Sequence, residues 1–109
     1  MTNIRLLINN DLTIDELQKV GSWPEKSGEL LKKRARILLS VLLLTLIPMS
    51  LEELAGKLGY RSKERFRDDY IKPLKDNRLL GYTLEQANDP NQQYVITSRG
   101  KLFIGGSSL

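Results

Sequence analysis

The side chains best equipped for chemistry in this chain are cations gathered in one place. Arg61, Ser62, Lys63 and Arg65 stand together, Lys72 and Lys75 follow, and the stretch from Arg61 to Arg78 holds seven basic residues against four acidic ones. Guanidinium and ammonium groups at the start of a helix match two kinds of acceptor, the phosphate oxygens of a nucleic-acid backbone and the N7 and O6 atoms of guanine. On that chemistry Arg61 and Lys63 approach base edges, Arg65 and Lys72 hold phosphates, and Ser62 caps the helix or bonds a phosphate. Lys75 falls near the outermost line of the same helix. The face is mixed in sign, because turning Phe66 to the core brings Glu64 and Asp68 to that line as well, where carboxylates repel phosphates.

Other chemistries find no support. The chain has no cysteine and no histidine, which removes disulfides, the usual zinc sites, Ser-His-Asp and Cys-His arrangements and the usual near-neutral base. No metal and no cofactor is expected. Asp68 and Asp69 diverge by about 100° around a helix and make a poor acid/base pair. Arg99-Gly100-Lys101 lacks the glycine-rich spacing of a phosphate loop. With no catalytic constellation visible, the chain is not read as an enzyme. Its 109 residues suit one domain with an extension, and the net charge of +4 with a pI near 9.5 favours anionic partners. Cysteine-free composition suits a reducing compartment, so the expected location is cytoplasmic.

The elements that must position these cations are legible from capping and periodicity. Ser50 and Glu53 form a capping box; Leu51, Leu54, Ala55 and Leu58 then recur on one helical face, and Gly59 stands where a left-handed C-cap is needed. Arg61-Ser62 opens a second helix whose Phe66, Tyr70, Pro73 and Leu74 form a stripe toward the core. Two β-prone runs, Leu79 to Leu84 and Tyr94 to Thr97, flank the polar loop Glu85 to Gln93 and read as a hairpin. The expected fold is mainly α with a small β-hairpin, a winged helix-turn-helix with an N-terminal helical extension. The wing holds two acids and no lysine or arginine.

Upstream, Ile4, Leu6, Leu7 and Ile8 are a short strand or the lead-in to a helix. Thr13 with Glu16 predicts a short helix from about Ile14 to Val20 ending at Gly21, and Trp23 beside Pro24 reads as a plug between extension and main domain. A long helix from about Lys26 or Ser27 to Leu46 follows. Its Lys32-Lys33-Arg34-Arg36 cluster reads as a solvated helix start compensated by Glu25 and Glu29, with approach of Lys33 and Arg36 to flanking phosphates as the alternative. The run Ile37 to Met49 is too short to cross a membrane, which takes about 20 apolar residues. Being apolar nearly all round, this helix needs cover on two sides. A homodimer through Leu39, Val41, Leu43 and Leu44 is expected; cover by Ile4 to Val20 of the same chain is the alternative. Pro48-Met49 is a connector able to form a stub of strand, and Ser98 to Ile104 adds a short helix or a third strand. The divisions are 1–27 for the extension, 28–104 for the winged-helix domain and 105–109 for a flexible tail.

From Met49 onward the pattern Met49-Ser50-Leu51-Glu52-Glu53-Leu54-Ala55, Leu58-Gly59-Tyr60-Arg61-Ser62, Tyr70-Ile71-Lys72-Pro73-Leu74, Leu79-Leu80-Gly81-Tyr82 and Asn91 to Gly100 resembles the small C-terminal winged-helix domain of Fic-like proteins and of RecG-like ATP-binding regulators. The resemblance covers about Lys33 to Leu102. It implies a winged helix with regulatory nucleic-acid binding and no chemistry of its own. The expected function is a duplex-DNA-binding regulator of transcription or of a mobile-element or defence system. The alternative is an adaptor or antitoxin-like subunit whose winged helix docks onto a protein.

Overall fold

A computed structural model describes residues 14–21, 23–25 and 27–105. The chain is mainly helical with one small antiparallel hairpin: α1 (Ile14–Gly21), α2 (Glu29–Leu44), α3 (Leu51–Lys57), a composite helix made of α4 (Lys63–Phe66), a π turn (Arg67–Ile71) and α5 (Lys72–Asp76), then β1 (Leu80–Tyr82), β2 (Tyr94–Ile96) and α6 (Ser98–Gly105). The apolar group Ile4 to Ile8, the cap at Thr13 and residues 106–109 of the tail lie outside the described residues.

Local chemistry sets these boundaries. Gly28 takes φ 92, a left-handed value that glycine adopts without penalty, and α2 therefore starts at Glu29 rather than at Lys26 or Ser27. Its end comes at Leu44, where Thr45 leaves helical geometry and turns its hydroxyl back to donate to the carbonyls of Val41 (2.8 Å) and Leu42 (3.1 Å). The freed Thr45 carbonyl accepts the amide of Ile96 at 2.8 Å, which ties the hairpin to α2. The capping box of α3 is present in both directions, Glu53 N–H to Ser50 Oγ at 3.1 Å and Ser50 N–H to Glu53 Oε1 at 3.0 Å. Past α3 the chain reverses at Gly59, φ 78, and Tyr60 N–H closes the turn on Ala55 O at 2.8 Å.

Packing then joins the elements into one core. Leu31, Ala35, Leu38, Val41 and Leu42 of α2 are buried with Leu17 and Val20 of α1, Leu54 and Ala55 of α3, and Phe66, Tyr70, Ile71 and Leu74 of the composite helix. Pro73, expected in the buried stripe, is half-buried. In the hairpin Leu80 faces Ile96, Gly81 faces Val95 and Tyr82 faces Tyr94. Met49 supplies the stub of strand, bridging Tyr94 with amide bonds of 2.9 and 2.7 Å. The segment after β2 is a helix, α6, and it lies close to the hairpin because Gly100 has no Cβ to strike the Leu79 carbonyl and the Ile96 side chain.

The apolar excess of α2 is taken up largely within the chain, by α1 on one side and the other helices and hairpin on the other. Val41 is 0 % exposed inside its own chain, so it leaves the expected interface set. Leu39, Leu43 and Leu44 are half-buried and pack against the same core.

Two buried tyrosines give the fold an alkaline limit. Burial first, and then the hydrogen bond to Tyr60, raise the Tyr70 phenol above its ordinary pKa; burial and the neighbouring Tyr82 raise Tyr94. Both groups stay protonated in the fold where the unfolded chain would ionise. Their contribution is therefore fully present below the unfolded value of about 10 and is lost as pH rises beyond it. Urea unfolding should show stability falling above about pH 10 by up to about 1.4 kcal/mol per pH unit per tyrosine, and Tyr70→Phe should flatten that slope.

Candidate nucleic-acid interface

The first turn of the composite helix is built for presentation. Ser62 adopts an extended conformation and its hydroxyl accepts the Arg65 amide at 3.2 Å, so it serves as the N-cap. Phe66, fully buried, fixes the rotation of this turn and leaves Arg61, Lys63 and Arg65 exposed. Among the described residues no carboxylate forms an ion pair with any of the three.

The remaining predicted cations lie elsewhere. Lys72 borders a shallow pocket with Val20 and Gly21 of α1 and with Asp68, Asp76 and Asn77, where two carboxylates neighbour it. Lys75 places its ammonium 3.0 Å from the centroid of the Tyr82 ring, a cation–π contact that anchors α5 to β1. The six residues read from the sequence as one face are therefore split between an exposed ridge, an α1-side flank and the edge of the hairpin. Arg67, absent from the residues expected on sequence grounds, joins Lys63 on the walls of a cleft of about 540 Å³ between the composite helix, the start of α3 and the loop after β1. It also lies 3.6 Å from the neighbouring Asp68 carboxylate. Its position one helical turn after Lys63 is the sequence signal that marks it.

One side chain, Gln92, makes most of the side-chain bonds of the hairpin loop, and Asp89 adds another by accepting the Asn91 amide at 2.7 Å. Gln92, 6 % exposed, accepts the amides of Thr83 (3.0 Å) and Leu84 (2.9 Å) with its oxygen and donates its nitrogen to the carbonyls of Leu84 (2.9 Å) and Gln86 (2.7 Å). This uses both ends of the amide. Gln92→Glu replaces a double donor by a carboxylate facing two carbonyls, and should destabilise the loop more than Gln92→Ala. Either change should cost about 1–3 kcal/mol and speed hydrogen exchange at the Leu84 amide, whereas the Thr83 amide keeps the Gln93 carbonyl at 3.0 Å. A Leu84 amide as protected as in the unsubstituted protein would refute this.

Behind the exposed ridge, the middle of the composite helix is buttressed by the chain that precedes α2. Pro73 has no N–H for the carbonyl of Asp69 and its ring crowds that carbonyl, so a regular helix fails there. The chain widens into the π turn, with Lys72 N–H bonding the Arg67 carbonyl, and the Trp23 indole donates to the Asp69 carbonyl at 2.9 Å. Arg34 reaches the Asp69 carboxylate at 3.3 Å and Glu25 at 2.9 Å, the latter an ion pair whose angle falls outside hydrogen-bond alignment. Its charge lies 5.9 Å above the Trp23 ring. Burial lowers the Arg34 pKa, but Asp69, Tyr70 and Glu25 together more than offset it and the net shift is upward. Arg34 thus departs from the solvated cluster expected at the start of α2: it stands three residues after buried Leu31 and four before buried Leu38, on the core-facing flank, whereas Lys32, Lys33 and Arg36 are exposed.

Among the described residues no helix is long and apolar enough to cross a membrane, and no group of three or more acidic side chains converges as metal donors. No protein-family model, curated protein or solved structure matches the chain.

Proposed function

We propose that this chain is a winged helix-turn-helix protein that binds duplex DNA with the first turn of its composite helix and regulates transcription or a mobile-element or defence function. The order α2, Met49 bridge, α3, composite helix, β1, loop and β2 supports this reading, because in a helix-turn-helix the second motif helix enters the major groove with its N-terminal residues toward the bases. The observation that carries the proposal is the set of three cations at this helix start, Arg61, Lys63 and Arg65, exposed and without ion-pair partners among the described residues. Of the carboxylates on the composite helix, Asp69 is paired with Arg34 and Asp68 with Arg67, whereas Glu64, exposed in the first turn itself, has no ion pair among the described residues and opposes the cations. The wing, with Glu85 and Asp89 and no cation, supplies no phosphate clamp. Binding therefore rests on few phosphates and follows a shallow salt dependence compared with proteins that use both helix and wing.

Fluorescence anisotropy with a random-sequence duplex, titrated from low to moderate salt, tests this. A dissociation constant that rises linearly with salt on a logarithmic plot is expected; absence of salt-sensitive binding at micromolar protein overturns the proposal. The second reading, an adaptor or antitoxin-like subunit, draws on the cleft beside the wing. Its mixture of Lys63, Arg67, Glu52, Glu64 and Asp89 around Tyr82 suits a polypeptide better than a polyanion.

A further inference from the structure

We infer that Trp23, Arg34 and Glu25 act as a positioning latch for the DNA-binding surface, setting through Asp69 the angle between the front and rear halves of the composite helix. The inference rests on the duplex-DNA proposal and deepens it. A π turn accommodates one residue more than an α turn, and one residue is worth about 100° of rotation on a helix. The π turn joins the front half, which carries Arg61, Lys63 and Arg65, to the rear half, so the direction in which the front half leaves it decides how those cations stand against the hairpin loop. Lys63 and Arg67 line the cleft beside the hairpin loop, and Lys72 borders the pocket beside α1.

Within the composite helix Pro73 and the bond from Lys72 N–H to the Arg67 carbonyl produce the π turn, but the polar groups of Asp69 find their partners elsewhere. Pro73 supplies no donor to the Asp69 carbonyl, and the Asp69 carboxylate faces Arg34 of α2. Both groups of this one residue are satisfied from outside the composite helix, the carbonyl by Trp23 and the carboxylate by Arg34, with Glu25 gripping Arg34 from the far side. Asn77 adds a tie from the end of α5 by donating to the carbonyl of Val20 at 3.4 Å, and Gln18 donates to the Trp23 carbonyl at 3.1 Å. The extension and the π turn are thus linked at several points while leaving the cationic ridge uncovered. A segment docked there acts on the ridge through geometry alone.

Charge provides the discriminating test. Asp69→Ala removes a negative charge close to a surface that meets phosphates, so electrostatics alone predicts tighter DNA binding; a positioning role predicts weaker binding. Trp23→Phe keeps a ring and changes no charge, but removes the donor to the Asp69 carbonyl. Each variant should bind the random duplex about three- to tenfold more weakly at fixed salt. Circular dichroism identifies the folded variants, and should Asp69→Ala not fold, Trp23→Phe carries the test. Asp69→Ala binding as tightly as the unsubstituted protein or more so, or Trp23→Phe binding unchanged, overturns the latch while the DNA proposal stands. Absence of salt-sensitive binding by the unsubstituted protein removes the DNA proposal, and the latch falls with it.

Discussion

Trp23→Ala should lower the unfolding free energy by about 3–5 kcal/mol, the range for deleting a buried large aromatic side chain. Trp23 is 4 % exposed, meets the Tyr70 ring edge-on at a centroid distance of 5.8 Å and donates to the Asp69 carbonyl. Truncation opens a void beside Tyr70 and also strands a carbonyl that Pro73 cannot serve. For a chain of this size 1 kcal/mol corresponds to roughly 4–8 °C, so the melting temperature should drop by more than about 12 °C. Gly21→Ala attacks the same packing from the other side, because a Cβ at Gly21 would overlap the Trp23 ring. A drop of only a few degrees in Trp23→Ala would mean that the extension is an appendage and that the core is complete without it.

The second large effect is on binding. Replacing Arg61, Lys63 and Arg65 together by alanine should weaken binding to random duplex DNA on the order of 100-fold at low salt and reduce the salt slope by about 0.9 for each of them that neutralises a phosphate. All three side chains are exposed and none packs in the core, so thermal stability should change little. Leaving Ser62 in place preserves the N-cap and keeps the helix start intact. Lys72→Ala serves as the contrast, with a smaller effect because its side chain lies on the α1 flank. A triple variant with undiminished affinity, or one weakened without any change in salt slope, would place the DNA-binding surface elsewhere.

Most of the scaffold is legible in local residue chemistry. Ser50 with Glu53, Gly59, Ser62 and the hydrophobic spacing of α3 are short-range signals, and the structure places caps and turns where they predict. The plug role of Trp23 is legible for a similar reason, since a large ring beside a proline must find cover. What sequence periodicity misses depends on tertiary partners. Arg34 belongs to a basic run that reads as solvated until the bend at Glu25 and the π turn bring two carboxylates to it. The uniform helical wheel places Phe66, Tyr70 and Leu74 at the core as the structure has them, but it carries no sign of the docking of α1 beside Lys72 or of Tyr82 against Lys75, which is why the six expected DNA-binding residues divide into three locations. The long apolar helix reads as an interface through Val41 only while it is taken alone, because the reach of α1 across it is set by docking rather than by its own composition.

The hydrogen bond from Trp23 to Asp69 spans 46 residues of chain, and it bears on what can be taken out of this protein. A peptide cut from Arg61 to Arg78 would retain every cation of the ridge yet carry an internal acceptor deprived of its donor and a proline that forbids repair from within. Such a fragment should be largely unstructured in water, and grafting it onto another scaffold would transfer charge without shape. The proposed recognition surface depends on the folded chain around it and is not a portable cassette.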